Sequence, residues 1–91
     1  MEIEKICEEI SYILKKMGKT DNSDKHFNFD VDLFDYGYLD SFGVVELLLE
    51  IKQAFGLDLS HEDFYQNLRS VRMISSNIIG KVEKIGKETE L

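Results

Sequence analysis

From Asp40 to Gly56 the chain spells out one helix together with both of its ends. Asp40 is a good N-cap, because a short carboxylate can accept a backbone N–H that the first helical turn leaves without a partner. Leu39 and Val44 stand at the two positions of a hydrophobic staple, which fixes the angle at which the preceding chain arrives. Gly56 follows Phe55, where helices commonly close in the left-handed conformation. Between these signals Val44, Val45, Leu47, Leu48, Leu49, Ile51, Ala54 and Phe55 are more apolar positions than a single buried stripe needs. Burying five of them would contribute roughly 1.5–3 kcal/mol each before chain entropy is subtracted. The surplus implies that this helix, expected over 41–55, touches more than one neighbour: the preceding loop, another helix, or a partner.

The rest of the chain supplies the neighbours. Residues 3–17 set Ile3, Ile6, Cys7, Ile10, Ile13, Leu14 and Met17 at the three-four spacing of one helical face, with Lys15 and Lys16 in the last turn and Gly18 just past it. Ser60, with Asp63 three residues on, approximates a capping box for a short helix at about 61–67. Ser70 or Asn67 introduces a last helix at about 71–86, with Val71, Ile74, Ile78, Val82 and Ile85 inward, and a polar tail from Lys87 is expected to fray. Residues 18–39 form a long connection rich in Asp, Asn, Ser and Lys, whose second half Phe27, Phe29, Val31, Leu33 and Phe34 should pin across the core. No alternating strand stands out. The expected fold is all-α: a small four-helix bundle of three main helices and one short one, in a single domain over residues 1–91.

Charge narrows the function classes. Residues 30–65 hold nine acids against one base, a local charge of −8, while the remainder, with nine acids and ten bases, carries +1. Such a field disfavours nucleic acid and anionic membranes and favours basic partner surfaces. Glu46 and Glu50 interrupt the longest apolar run, so no segment is long enough to span a bilayer, and no signal-peptide pattern is visible. A single cysteine excludes an intramolecular disulfide framework, and Cys7 reads as a small buried residue of the first helix. A cytoplasmic monomer is the expectation.

Ser41, where the acidic loop becomes the helix, is the candidate site. A hydroxyl at a helix N-terminus is well placed to carry an anionic group, because free N–H groups and the helix dipole both favour negative charge there. An enzymatic reading is weak, since His26 and His61 sit in polar surroundings and a Ser-His-Asp arrangement needs an orienting geometry. Asp30, Asp32 and Asp35 look like the start of a calcium loop, but the required glycine and glutamate do not fall in register from Asp30, and from Asp32 the twelfth position is Gly43.

Leu33-Phe34, Gly37, Leu39-Asp40-Ser41-Phe42 and the run from Val44 to Leu57 together resemble the acyl carrier protein family over roughly residues 27–85. The resemblance implies a non-catalytic protein of the acyl-carrier type, holding a 4′-phosphopantetheine arm, taken from coenzyme A, on Ser41. It implies a partner surface along the second helix, and on it Asp40, Phe42, Val44, Val45, Glu46 and Glu50 are the candidates, with Glu62 and Asp63 extending it. The implied partners are a phosphopantetheinyl transferase, an acyl- or aminoacyl-loading ligase, and a downstream acyltransferase or condensing enzyme, with no nucleic acid and no membrane insertion.

Leu39-Asp40-Ser41-Phe42-Gly43 followed by Glu46-Leu47-Leu48-Leu49-Glu50-Ile51 is similar to the D-alanyl carriers of teichoic acid modification. The stretch Leu68-Arg69-Ser70-Val71 lacks the Trp and Pro of those carriers. A self-contained carrier of a fatty-acid or specialised acyl pathway therefore stays open beside a D-alanyl one. The alternative from another class is an unmodified acidic adaptor that binds a basic partner through its second helix.

Overall fold

The computed structural model describes residues 2–89, with side-chain surroundings as far as Glu83. It is an all-helical globule built from α1 (Ile3–Lys16), α2 (Ser41–Phe55), α3 (His61–Gln66) and α4 (Val71–Thr89). α4 runs three residues past the expected end, so the stretch from Lys87 is helical as far as Thr89, and residues 90 and 91 lie outside the described ones. The inward position expected for Ile85 lies outside the described side chains.

α1 packs chiefly on α4 and also meets α2, while α3 rests on α2. The shared core takes Ile6, Cys7, Ile10 and Leu14 from α1, Val44, Leu47 and Ile51 from α2, Phe64 from α3, and Val71, Ile74 and Ile78 from α4. Buried polar side chains interrupt it. Ser11 of α1 and Ser75 of α4 are buried with hydroxyls that find no partner.

The starts of α2, α3 and α4 are each capped by a side chain from the residue just before the helix, whereas Glu2 before α1 makes no such bond. The Asp40 carboxylate accepts the Gly43 N–H at 2.8 Å, the Ser60 hydroxyl accepts the Asp63 N–H at 3.2 Å, and Ser70, not Asn67, caps α4 by accepting the Met73 N–H at 3.2 Å. Gly56 closes α2 with φ 70° and returns its N–H to the Lys52 carbonyl.

The connection before α2 has no regular structure but is held at many points. Val31, Leu33 and Leu39 are buried, and Phe27, Phe29, Phe34 and Tyr38 pack partly against the core. Asp and Asn side chains close the local turns, for example Asp32 accepting the N–H groups of Phe34 and Asp35 at 3.0 and 2.9 Å. The start of α4 supplies the long-range ties. The Leu33 N–H donates to the Arg69 carbonyl at 2.7 Å, and the Arg72 N–H, left free by its place in the first helical turn, donates to the Phe29 carbonyl at 2.9 Å. A loop stitched in this way delivers residue 41 to one place.

Candidate functional site

Ser41 is exposed and is the first residue of α2. Three local features put it there. Gly37, with φ 78°, closes a turn in which its N–H meets the Phe34 carbonyl at 3.1 Å. The Leu39 N–H then bonds the Leu33 carbonyl at 2.9 Å, and the Leu39 side chain is buried at 4% exposure. Asp40 finally takes the Gly43 N–H with its carboxylate and the Val44 N–H with its carbonyl, at 2.8 and 3.0 Å. The two remaining first-turn N–H groups, those of Ser41 and Phe42, belong to the helix end that favours an anion.

Asp40 is tuned by the same geometry. The Gly43 N–H, and after it the nearby Lys19 charge, hold its carboxyl below the ordinary 3.8. It stays ionised beside the serine at neutral pH, as a cap and not as a base. His26 is exposed, with its backbone N–H tied to Asp24 at 3.0 Å, and His61 is exposed at the start of α3. An open groove of about 680 Å³, lined in part by Asp30, Leu68, Arg72 and Met73, includes no residue of the 39–43 junction.

The outer face of α2 accounts for the surplus of apolar residues. Phe42 is 77% exposed, Val45 43% and Leu49 58%, and their spacing of three and four makes one ridge that begins beside Ser41. Glu46 is exposed beside it. Val44, expected on this surface, is instead fully buried, because its partner in the staple, Leu39, draws it into the core. Glu50 is half-buried and paired with Lys16 of α1 at 3.3 Å. Glu62 is exposed and Asp63 half-buried in the first turn of α3, the helix that rests on α2.

The acidity around the serine is smaller than a count along the chain implies. Arg69 binds Asp32 at 2.7 and 3.2 Å and Asp35 at 3.2 Å, and Arg72 binds Asp30 at 2.7 Å. Arg69 also lies over the Phe34 ring, 4.9 Å from its centroid, and donates to the Tyr65 carbonyl. Both oxygens of Asp32 are thus committed to a guanidinium, whose hydrogen bonds depress its pKa. These arginines had no role in the sequence reading. Their signal was spacing: the only two arginines of the chain stand three apart, Arg69 just before α4 and Arg72 in its first turn, and meet aspartates spaced through 30–35. A further tie, from the Tyr38 hydroxyl to Asp24 at 2.8 Å, with Tyr38 edge-on to Phe27, braces the loop just before Ser41.

Comparison with known proteins sets this geometry in a family. The family model for the phosphopantetheine attachment site matches residues 4–78, from α1 into α4. D-alanyl carrier protein 1 of Lactiplantibacillus plantarum is 36% identical over 73 residues, covering 80% of this chain and 88% of that protein. The D-alanyl carrier proteins of Lacticaseibacillus casei and Lacticaseibacillus rhamnosus are each 40% identical over 65 residues, 71% of this chain and 76% of theirs. No solved structure gives a significant match.

Proposed function

The chain belongs to the phosphopantetheine attachment-site family of carrier proteins, and on that premise we propose that Ser41 bears the arm and that the cargo is an aminoacyl group, D-alanine first among them. The observation that carries the first part is an exposed hydroxyl at the first residue of a capped helix, inside the matched span. The second part is supported by the D-alanyl carriers among its relatives. The thiol that ends such an arm holds cargo as a thioester, so the chemistry belongs to enzymes that dock, and the protein itself is non-catalytic.

What the residues of this chain supply is placement and recognition. Asp40 and Leu39 hold Ser41 at the surface, where a phosphopantetheinyl transferase reaches its hydroxyl. The ridge of Phe42, Val45 and Leu49, with Glu46 beside it, offers an apolar strip with an acidic edge to the transferase, the loading ligase and the accepting enzyme. Glu62 stands in the first turn of α3 as a further acidic contact. No helix among the described residues is long and apolar enough to cross a membrane, and we place the exchange between enzymes in the cytoplasm.

Two assays test this reading. Ser41→Ala should abolish loading by a transferase while its helical circular dichroism stays that of the parent. The loaded protein, given ATP and an amino-acid-activating ligase, should gain D-alanine as a hydroxylamine-labile thioester in preference to a medium-chain fatty acid offered with an acyl-activating ligase. Preference for the fatty acid would overturn the cargo assignment and leave the carrier assignment standing.

A further inference from the structure

Just past the end of α1, Gly18 turns the chain with φ 76°, and the Lys19 N–H then donates to the Leu14 carbonyl at 2.9 Å. With its backbone held there, Lys19 lays its stem against the first turn of α2. A Cβ on the buried Gly43 would lie 3.4 Å from Lys19 Cε, 3.4 Å from Asp40 Oδ1 and 3.1 Å from Leu39 Cδ2. Alanine would serve the helix better than glycine, so what glycine gains here is this close approach. The ion pairs of the described residues lie elsewhere, joining Lys16 to Glu50, Lys52 to Asp58, Arg69 to Asp32 and Asp35, and Arg72 to Asp30. Lys19 is in none of them, yet its charge is felt at Asp40.

An arm on Ser41 creates an electrostatic problem that this lysine answers. A phosphodiester carries a negative charge, and on Ser41 it stands next to the ionised Asp40. Like charges so close oppose each other, and the N–H groups of the first turn offset only part of that. A compact ammonium, mobile on its stem, reaches a phosphate oxygen as a point charge. We propose that Lys19, seated over Gly43 beside Asp40, is the counter-charge of the arm's phosphodiester. This rests on Ser41 as the attachment point and adds a residue from α1's end to what has been described as a loop-and-helix site.

The test compares the parent, Lys19→Met and Lys19→Arg, each before and after complete loading by a phosphopantetheinyl transferase. Methionine keeps an unbranched apolar stem over Gly43, so the fold should persist, and arginine keeps the charge. Two readouts are independent of cargo transfer: the ³¹P resonance of the phosphodiester, and the change in melting temperature on loading. Loading should leave the parent's melting temperature unchanged or raised. It should lower that of Lys19→Met by a few degrees at low salt, an effect that fades at about 1 M salt, where the screening length is near 3 Å. The ³¹P resonance should move in Lys19→Met and stay near the parent's in Lys19→Arg. An identical resonance and an identical loading shift in Lys19→Met and the parent would overturn the proposal while leaving Ser41 as the anchor. A parent protein that takes no arm on Ser41 would remove both.

Discussion

Arg69 and Asp32, 37 residues apart in the chain, meet through two hydrogen bonds of 2.7 and 3.2 Å and join the start of α4 to the loop that carries Ser41. The planar guanidinium matches the carboxylate fork, stacks on Phe34 and still reaches the Tyr65 carbonyl. One side chain thereby ties together the loop, α3 and the start of α4.

Replacing Arg69 should loosen the loop more than the helices. Arg69→Met is expected to lower the melting temperature by several degrees and to slow loading of Ser41 several-fold, mainly through kcat. Arg69→Lys should recover only part of both, because a point charge does not reproduce the two-pronged contact. Faster amide exchange at Leu33 and Leu39 in Arg69→Met would place the effect in the loop. An unchanged loading rate with full destabilisation would show that the clamp holds the fold without positioning the serine.

How much of this was legible in the sequence follows the range of each interaction. The caps at Asp40, Ser60 and Ser70 and the stop at Gly56 are local, and they could be read because donor and acceptor lie within four residues. The Arg69 clamp could not, since its partner is chosen by the fold. Val44 and Val45 show the same limit on a small scale. Both are apolar neighbours at the start of α2, and the packing of the helix puts Val44 on the buried face with Leu47 and Ile51 while Val45 remains 43% exposed. The placement of Ser41 at an exposed helix start follows from its local surroundings, while the counter-charge we assign to Lys19 comes from another helix's end.

Stability should fall at both ends of the pH scale. Asp24, Asp32 and Asp40 have folded-state pKa values below the ordinary 3.8, because Tyr38, Arg69 and the Gly43 N–H, respectively, bond their charged forms. Near pH 3.8 the unfolded chain binds more protons, so their contribution is whole above that pH and is lost as pH falls through the folded values. Tyr38 behaves oppositely. Burial, and then the hydrogen bond to Asp24 and the charge of Asp24, raise its pKa above 10.0, so its contribution is whole below pH 10.0 and lost as pH rises through the raised value. Thermal melts in a constant-ionic-strength buffer series should show a plateau between. Tyr38→Phe should flatten the alkaline limb and raise the Asp24 pKa by NMR; an unaltered Asp24 titration would contradict the bond.

Ser75 offers a substitution that should stabilise. Its hydroxyl is fully buried without a partner, so Ser75→Ala removes an unmet polar group and keeps the small volume. Alanine is also the better helix former. We expect a gain of about 1 kcal/mol in urea unfolding with an unchanged slope. A loss of similar size would show that the hydroxyl has a partner in solution.

Partner encounter should depend unequally on the two glutamates of α2. Glu46 is exposed beside the apolar ridge, whereas Glu50 is shared with Lys16. At low salt Glu46→Lys should therefore slow association with a phosphopantetheinyl transferase several-fold, and Glu50→Lys less so, both effects shrinking as salt rises. Stopped-flow association rates decide it. Equal effects, or none, would sink the assignment of steering to Glu46.

The central claim is that Ser41 carries the arm, and intact mass spectrometry tests it most directly. The apo-protein is incubated with coenzyme A, magnesium and a broad-specificity phosphopantetheinyl transferase, beside a carrier known to be a substrate. The account predicts the gain of one phosphopantetheine, localised by fragmentation to Ser41 and absent from Ser41→Ala. No gain on folded protein while the control is loaded, or a gain that persists in Ser41→Ala, would contradict it.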